Sequence, residues 1–386
     1  MVNSPKVSAV LLSLGLVIGL VACSSGNDQP EPAAQAGGSN SESSSTPRAD
    51  DDFSQEGMVV TAQCTPAGDS GGGTVTLDGW APQGLEKKAH AEFQLPDTVL
   101  ITSEKVRPGT ALEDLCAPTN LTSSNDILAI RSLFDRDFTK LAVVIQDPKS
   151  MATHVGYVDR SGKLTDLTGE EDFGNTPHED NAAMAPDGDA VWFTSDVDGD
   201  DHIANRPIGG DHKPVGDQPI EHLSEAHLFV VGTPGTAVAS SSARLSPDGK
   251  RLLAEEKLLD VKPGGVIDPN AIEQAKTLSC GESSSGVPVG WIDADTVLCS
   301  GPDKRFSTLD IAPNATAGAP ILPSNDRNNY LLAISPDGQK FAFLSVKEEK
   351  RDYYVSDVKP GSTPTKVEPP AEFAQMIDKL FVLDWR

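Results

Sequence analysis

The chain has 386 residues, and its 57 acidic and 31 basic side chains give a formal net charge of −26. Such a charge argues against binding to nucleic acid and against electrostatic docking on anionic lipid, because both need basic patches. We therefore expect no nucleic-acid partner, and we interpret the acidic residues as a solubilising surface.

Residues 1–22 have the pattern of an export signal. Lys6 and the amino terminus form a short positive region, and the apolar run from Val7 to Leu20 is too short to span a bilayer on its own. The segment Leu20–Cys23 then resembles the lipobox of bacterial lipoproteins. An ordinary signal peptide with a cysteine nearby by chance is the alternative.

The resemblance to the lipobox implies a covalent lipid anchor. In that family the chain is cut before the cysteine, whose thiol receives a diacylglycerol and whose new amino group is usually acylated. Several acyl chains make a stable anchor where one does not. We therefore predict that Cys23 is lipidated, that no other cofactor is bound, and that the protein is held on the extracytoplasmic face of the cell membrane.

Residues 23–57 are rich in Ser, Gly, Pro, Ala and acidic side chains, with almost nothing apolar. Such a segment cannot bury enough surface to offset the entropy lost on ordering, so we predict a disordered linker. The folded domain is predicted over residues 58–386. Its length of about 330 residues is large for one compact core but normal for a repeat architecture.

Four cysteines remain after Cys23. An even number in an oxidising compartment predicts two disulfide bonds, and three pairings are possible. The order along the chain favours Cys64 with Cys116 and Cys280 with Cys299. Buried free thiols are the alternative.

An internal repeat begins in the middle of the chain. A turn of the type Ser-Pro-Asp-Gly precedes an apolar run at Ala185–Phe193, Ser246–Ala254 and Ser335–Leu344, and two degenerate copies lie at Asp135–Val144 and Trp291–Leu298. The central aspartates recur about every 50 residues, a spacing typical of propeller blades. The predicted turn residues are Asp137, Pro186, Asp187, Gly188, Pro247, Asp248, Gly249, Pro336, Asp337 and Gly338.

Turn chemistry explains the motif. Pro fixes φ at the second position, Ser and Asp accept hydrogen bonds within the turn, and Gly supplies the positive φ that reverses the chain into a strand. A looser strand and a short fourth strand follow each hairpin, and four short strands per repeat are typical of a β-propeller blade. Short helices are predicted only at Asn270–Lys276 and Ala371–Lys379.

The hairpin motif and the segment Thr194–Ile203 resemble the WD-like repeats of TolB-type propellers over residues 126–365. The resemblance implies an all-β fold with six blades, or alternatively seven. Residues 58–120 lack the motif and are expected to form a divergent blade. Since an open ring leaves sheet edges unpaired, we expect the strand Leu380–Arg386 to join the blade that begins at Met58–Cys64.

The sequence offers little catalytic machinery. The pattern Gly-x-Ser-x-Gly occurs once, at residues 68–72, where a strand-like run and not a helix follows it, so it does not have the strand-turn-helix form of a nucleophile elbow. The aspartates at 196, 198, 200 and 201 could form half of a calcium loop, but they are also explained as a hairpin turn. Histidines next to carboxylates at 202, 212 and 222 could bind a transition metal, but their spacing matches no known site. We predict no catalytic residue, cofactor site or metal site.

The predicted function is that of a non-enzymatic, membrane-anchored propeller for protein interaction or ligand recognition in the cell envelope, monomeric and with an envelope protein as partner. The alternative is a propeller enzyme, a hydrolase or lyase, with an acidic and histidine site in the central funnel. The connection Ile203–Ala239 is the largest excursion from the blade period, so we expect a loop there that overhangs one mouth and contacts the partner.

Overall fold

The computed structural model describes residues 52–68, 71–101, 111–116, 124–147, 149–168, 178–197, 200–211, 213–220, 227–240, 242–267, 269–281, 286–301, 304–313, 315–376 and 381–386. These residues form an all-β structure. Four short helices accompany the strands: α1 (Ala111–Cys116), α2 (Ser124–Arg131), α3 (Pro269–Glu273) and α4 (Ala371–Met376). In the described parts of the chain, no helix is long and apolar enough to cross a membrane.

The strands of the first half follow in chain order: β1 (Val59–Pro66), β2 (Gly71–Trp80), β3 (Lys87–Leu100), β4 (Lys140–Gln146), β5 (Thr153–Asp159), β6 (Leu164–Asp166), β7 (Glu179–Met184), β8 (Ala190–Val197), β9 (Asp200–Pro207), β10 (Val215–Ile220), β11 (His227–Val231) and β12 (Thr236–Ser240).

The strands of the second half are β13 (Arg244–Leu245), β14 (Arg251–Ala254), β15 (Lys257–Asp260), β16 (Gly265–Ile267), β17 (Lys276–Thr277), β18 (Val287–Trp291), β19 (Thr296–Ser300), β20 (Ser307–Asp310), β21 (Asn328–Ile334), β22 (Lys340–Lys347), β23 (Lys350–Asp357), β24 (Thr365–Val367) and β25 (Phe381–Trp385).

The described strands pair into six sheets, most of them simple antiparallel meanders. The sheets have the orders β25-β1-β2-β3-β4-β5-β6, β10-β9-β8-β7, β11-β12-β16, β13-β14-β15-β17, β18-β19-β20 and β21-β22-β23-β24. In the first sheet, β3 and β4 are joined only through the pair Val99 and Ile145. Strand β16 runs parallel to β12.

The first strands of successive sheets contact one another. Strand β7 lies against β11, β13 against β18, β18 against β21, and β21 against β25, while β4 contacts β7. Sheets whose inner edges meet in this order are arranged around a common axis, as in a propeller. The predicted all-β propeller fold is therefore confirmed, and the number of blades stays a prediction.

The ring closes through the pairing of β25 with β1. Val59 lies opposite Trp385 and Ala62 opposite Phe381, in an antiparallel register. Backbone hydrogen bonds extend the closure, since the Arg386 N–H donates to the Met58 carbonyl at 2.8 Å. The predicted closing strand is confirmed. Pairing of both edges leaves no open sheet edge at this junction.

The repeat turns have the predicted chemistry. In the Ser246 copy, the serine hydroxyl donates to Asp248 Oδ1 at 2.7 Å and accepts from the Arg251 N–H at 3.0 Å. The Ser335 copy repeats these bonds with Asp337 at 2.6 Å and Lys340 at 2.9 Å. The glycines at 188, 249 and 338 have φ of +71°, +72° and +66°. In the degenerate Asp135 copy, Phe138 takes the glycine position with φ of +53°.

Apolar side chains between neighbouring sheets make the core. The largest cluster joins the first two blade-like units around Phe93, Phe134 and Phe138, and it includes Phe53 at 1% exposure. The Phe53 and Phe138 ring centroids are 5.6 Å apart. Phe53 falls within the predicted linker 23–57, so packed structure extends to the amino-terminal side of the predicted start at Met58.

The prediction of a loop over Ile203–Ala239 is wrong. Most of its described residues lie in β9, β10, β11 and β12, which belong to two sheets. The excess over the blade period is an additional hairpin, β11–β12, and its residues Leu228, Val230 and Ala237 are buried against the preceding sheet. Deletion of this segment would remove blade strands, so the functional role expected for it is withdrawn.

The helices match the prediction in part. Helix α4 lies within its predicted segment, and α3 overlaps the other one but begins one residue before it, at Pro269. Helices α1 and α2 were not predicted; α1 lies in residues 58–120, which were interpreted as a divergent blade, and α2 follows that segment. The apolar residues Leu112 and Leu115 are three positions apart in α1 and are both buried, which is the spacing of a helix face.

Candidate functional site in the central channel

The inner strands enclose a channel with two connected chambers of about 490 Å³ and 580 Å³. The first chamber is lined by β13, β18, β21, β25 and the side chains of Ile127 and Leu128 on α2. The second is lined by residues around Arg131, Phe134, Pro186 and Val230. The chambers share Leu128, Val231, Ala243, Leu245, Pro247 and Asp384 in their walls, so we treat them as one site.

Helix α2 enters the channel and connects opposite sides of the ring. It contacts β25 on one side and β11 on the other. Ile130 is fully buried in the cluster of the first sheet, whereas Ala129 packs with Phe229 and Ala243. Because a helix wedged between inner strands is fixed on both sides, it gives the channel a rigid wall.

The repeat turns surround one mouth of this channel. Pro186, Pro247 and Pro336, each at the second position of its turn, line the chambers, and Arg136 has the corresponding place in the degenerate copy. Neighbouring turns touch, since the Arg136 N–H donates to the Pro186 carbonyl at 2.7 Å. The predicted turn residues therefore lie around one opening of the channel, although sequence reasoning assigned them only a folding role.

The charged residues of the channel wall are mostly basic. Four arginines (Arg131, Arg136, Arg244 and Arg386) and one carboxylate, Asp384, are the charged side chains among the described residues that line the two chambers. Their formal charge is +4 − 1 = +3, in a chain whose net charge is −26. A concave surface of one sign focuses the field and attracts ligands of the opposite sign.

Two of these arginines are held by the wall itself. Arg131 Nε lies 3.5 Å from Asp384 Oδ2, and its Nη1 donates to the carbonyls of Phe134 and Asp135 at 3.1 and 3.2 Å. Arg386 lies 3.9 Å from Asp384. Burial lowers the pKa of Arg131 from its usual value, a shift that nearby Asp384 opposes and Arg386 reinforces.

Arg136 lies at the mouth and is exposed. Its Nη2 donates to Thr233 Oγ1 at 2.6 Å, in the connection between β11 and β12. Its position in the turn and its exposure make it the channel arginine most accessible to a macromolecular partner.

Arg244 differs from the other three. It is half-buried on β13, and its guanidinium has no hydrogen bond or ion pair within the described part of the chain. Burial lowers the pKa of Arg244 to about 10, with no neighbouring carboxylate to raise it. Its backbone carbonyl is fixed, because Trp291 Nε1 donates to it at 3.0 Å.

Sequence reasoning missed these arginines, although a signal existed. Arg244 stands two positions before the turn residue Ser246, where the other intact copies have Ala183 and Ala333. Ala333 also lines the chamber. A charged residue at an inner-strand position that is otherwise occupied by alanine would have indicated a group that faces the channel.

The two predicted disulfide bonds are present. Cys64 on β1 is joined to Cys116 on α1, and Cys280 is joined to Cys299 on β19. This is the pairing that the order along the chain favours. The first bond ties α1 to the closing blade, and the second ties the segment after β17 to β19. Cys23 lies outside the described residues, so its lipidation stays a prediction.

The possible metal sites were also located. Asp196 and Asp201 are opposite each other in the β8–β9 hairpin, as are Val197 and Asp200, which agrees with the interpretation as a hairpin turn. Asp198 lies outside the described residues, as do His212 and His222. His202 lies 2.7 Å from Asp217. Within the described residues, no group of three or more His, Cys, Asp or Glu side chains could hold a metal ion.

No protein-family model and no curated protein matches this sequence. Similar solved structures include TolB from Acinetobacter baumannii, with 12% identity, coverage of 81% of this chain and 80% of that chain, and a TM-score of 0.28. The β-propeller domain of the Trilobed protease from Pyrococcus furiosus has 10% identity, coverage of 82% and 84%, and a TM-score of 0.37. A putative 6-phosphogluconolactonase from Bacteroides fragilis has 14% identity, coverage of 82% of both chains, and a TM-score of 0.30.

The similar structures thus include TolB and proteins named as enzymes. The fold is established here by the sheets, the repeat turns and the closure of β25 on β1. On these features, the chain folds as an all-β propeller.

Proposed function

We propose that this protein is a lipid-anchored, extracytoplasmic propeller that recognises an anionic partner at its central channel and catalyses no reaction. The observation that carries the proposal is the basic lining of the channel in a strongly acidic chain. The lipid anchor rests on the lipobox resemblance at Cys23, and it would keep the propeller at the membrane surface on the segment that precedes it.

The wall chemistry supports binding over catalysis. The alternative, a propeller enzyme with an acidic and histidine site, needs carboxylates and imidazoles from several blades to converge at the axis. Among the described residues that line the chambers, Asp384 is the one carboxylate and no histidine occurs. Asp384 is already paired with Arg131 and Arg386 at 3.5 and 3.9 Å, which favours a structural role for it.

The geometry of the mouth supports recognition of a macromolecule. The turns that surround it are rigid, since each is closed by its own backbone hydrogen bonds, as in Gly249 N–H to Ser246 O at 2.9 Å. Binding residues on a fixed scaffold lose little entropy when they meet a partner. Arg136 presents a guanidinium there, and guanidinium groups recognise carboxylates through two parallel hydrogen bonds.

Affinity capture from detergent-solubilised cell envelope tests the proposal. The wild type is compared with Arg136→Glu and with Lys350→Glu, which has the same charge change. Lys350 begins β23 at the end of the β22–β23 hairpin, opposite the end that carries the repeat turns, and its side chain is 70% exposed. We expect proteins retained by the wild type and by Lys350→Glu to be lost with Arg136→Glu. Equal retention by all three would contradict recognition at this mouth.

A further inference from the structure

The first chamber is an apolar cavity with one unpaired cation. Its wall includes Leu331, Ile334, Trp291 and Trp385, and its volume of about 490 Å³ lies within the range of small-molecule sites, about 300–1,000 Å³. Of the two charged side chains in this wall, Asp384 is paired with arginines, whereas Arg244 has no ion pair or hydrogen bond to its guanidinium among the residues that the structure describes. The uncompensated charge of the chamber is therefore that of Arg244.

An unpaired guanidinium inside a protein is costly, because it has lost part of its hydration without gaining a partner. Within the described structure the chain supplies no partner for this guanidinium, since no carboxylate contributes to the pKa of Arg244. A ligand with a carboxylate would provide the missing partner, and the planar fork of arginine fits two carboxylate oxygens. The rest of such a ligand would lie against apolar side chains.

We infer that the chamber binds a small amphipathic monocarboxylate, a free aliphatic acid whose carboxylate pairs with Arg244 and whose hydrocarbon body packs between Trp291 and Leu331. This inference deepens the proposed function, on which it rests, by giving the channel a small-molecule ligand class. It also assigns Arg244 a binding role that differs from the role of Arg136 at the mouth.

The chamber contains its own spectroscopic probe. Trp291 and Trp385 both line it, and the chain has only four tryptophans. A ligand that enters the chamber changes the surroundings of two of these indoles, so intrinsic tryptophan fluorescence reports on binding. Titration of the purified, full-length mature protein with straight-chain acids from hexanoate to dodecanoate is the primary measurement, and decanol is the uncharged analogue of decanoate.

We expect saturable binding of at least one acid, with roughly 10- to 100-fold weaker binding to Arg244→Gln, the range expected for loss of a charge-assisted hydrogen-bonded pair. Arg244→Lys keeps the charge and should restore part of the affinity. Decanol should bind wild type and Arg244→Gln alike. Circular dichroism verifies that each variant is folded. If Arg244→Gln does not fold, Ala333→Leu, which fills the chamber and leaves Arg244 in place, should abolish binding.

Three results would overturn the inference: no acid binds the wild type, the acids bind Arg244→Gln as tightly as the wild type, or decanol binds the wild type as tightly as decanoate. These outcomes are independent of the capture experiment, which uses Arg136 and envelope proteins. Loss of acid binding with intact capture would reject the chamber ligand alone. Acid binding with no capture would reject the macromolecular partner and leave the chamber site in place.

Discussion

A buried ion pair within one sheet, whose carboxylate also bonds to the preceding blade, should be a major determinant of stability. Glu179 begins β7 and is 1% exposed, and Arg206 on β9 is 6% exposed. Glu179 Oε1 accepts from Arg206 Nε at 3.0 Å and Nη2 at 2.6 Å. Glu179 Oε2 accepts from the Val155 N–H at 2.9 Å and the Thr168 hydroxyl at 2.8 Å, both in the preceding blade. One carboxylate therefore satisfies four donors on two sheets.

Removal of Glu179 alone should be worse than removal of both partners. Arg206→Met leaves a buried carboxylate without its cation, a change that costs about 3–5 kcal/mol. Glu179→Met has the same cost for the buried guanidinium, and it also leaves the Val155 and Thr168 donors unsatisfied at about 1–3 kcal/mol each. The double variant Glu179→Met with Arg206→Met removes both charges, so it should be more stable than Glu179→Met.

Urea unfolding followed by circular dichroism measures these differences, and the double-mutant cycle isolates the coupling between the two side chains. The exposed pair Asp211 and Lys213 provides the control. Their side chains are 69% and 79% exposed, so Asp211→Asn should change stability by no more than about 1 kcal/mol. A loss below about 1 kcal/mol for Arg206→Met would refute the reasoning, because it would place the pair among surface ion pairs.

Three further predictions concern the anchor, the disulfides and the turns. Cys23→Ala should move the protein out of the detergent phase in a phase-partition assay or block its processing, and unchanged partition and cleavage would reject the lipobox. In the chain-entropy model, loss of the Cys64–Cys116 bond, which spans 52 residues, should cost about 4 kcal/mol of stability. Loss of the Cys280–Cys299 bond, which spans 19 residues, should cost about 3 kcal/mol. The reverse order of stability in denaturant unfolding of the Cys-to-Ser variants would contradict this. Gly338→Ala should destabilise by at least about 2 kcal/mol more than Gly249→Ala, because a Cβ at 338 would lie 2.1 Å from the Ile292 carbonyl oxygen, whereas the nearest atom at 249 is 3.9 Å away. Both glycines have positive φ, so the shared backbone strain of about 1–2 kcal/mol cancels in the comparison of unfolding midpoints.

The local features of the fold were predictable because they depend on residues close in sequence. The Ser246 and Ser335 turns could be predicted because serine, proline, aspartate and glycine each supply a separate requirement of the turn. The closing strand could be predicted because an apolar segment after the last repeat needs a partner. The extra hairpin β11–β12 could not, since its strands carry no turn motif and Val215–Ile220 before it is largely exposed.

The candidate site was less predictable because it is assembled across blades. Arg131, Arg244 and Arg386 are separated by more than a hundred residues from one another, and only the ring brings them to one axis. Helix α2 was missed for a related reason, since its apolar residues face two different walls of the channel and therefore do not form a single stripe. The net negative charge of the chain indicated acidic surfaces, whereas the channel wall is basic.

The residue at the second position of the repeat turn varies in type, but its location in the structure does not vary. A proline occupies it in three copies and Arg136 in a fourth, yet all four lie around the same opening. Because most residues are compatible with this position, its side chain can change with little effect on the turn. Substitution at this position therefore changes the charge and shape of the opening without changing the blades, so the opening can differ between related proteins that share the same blades.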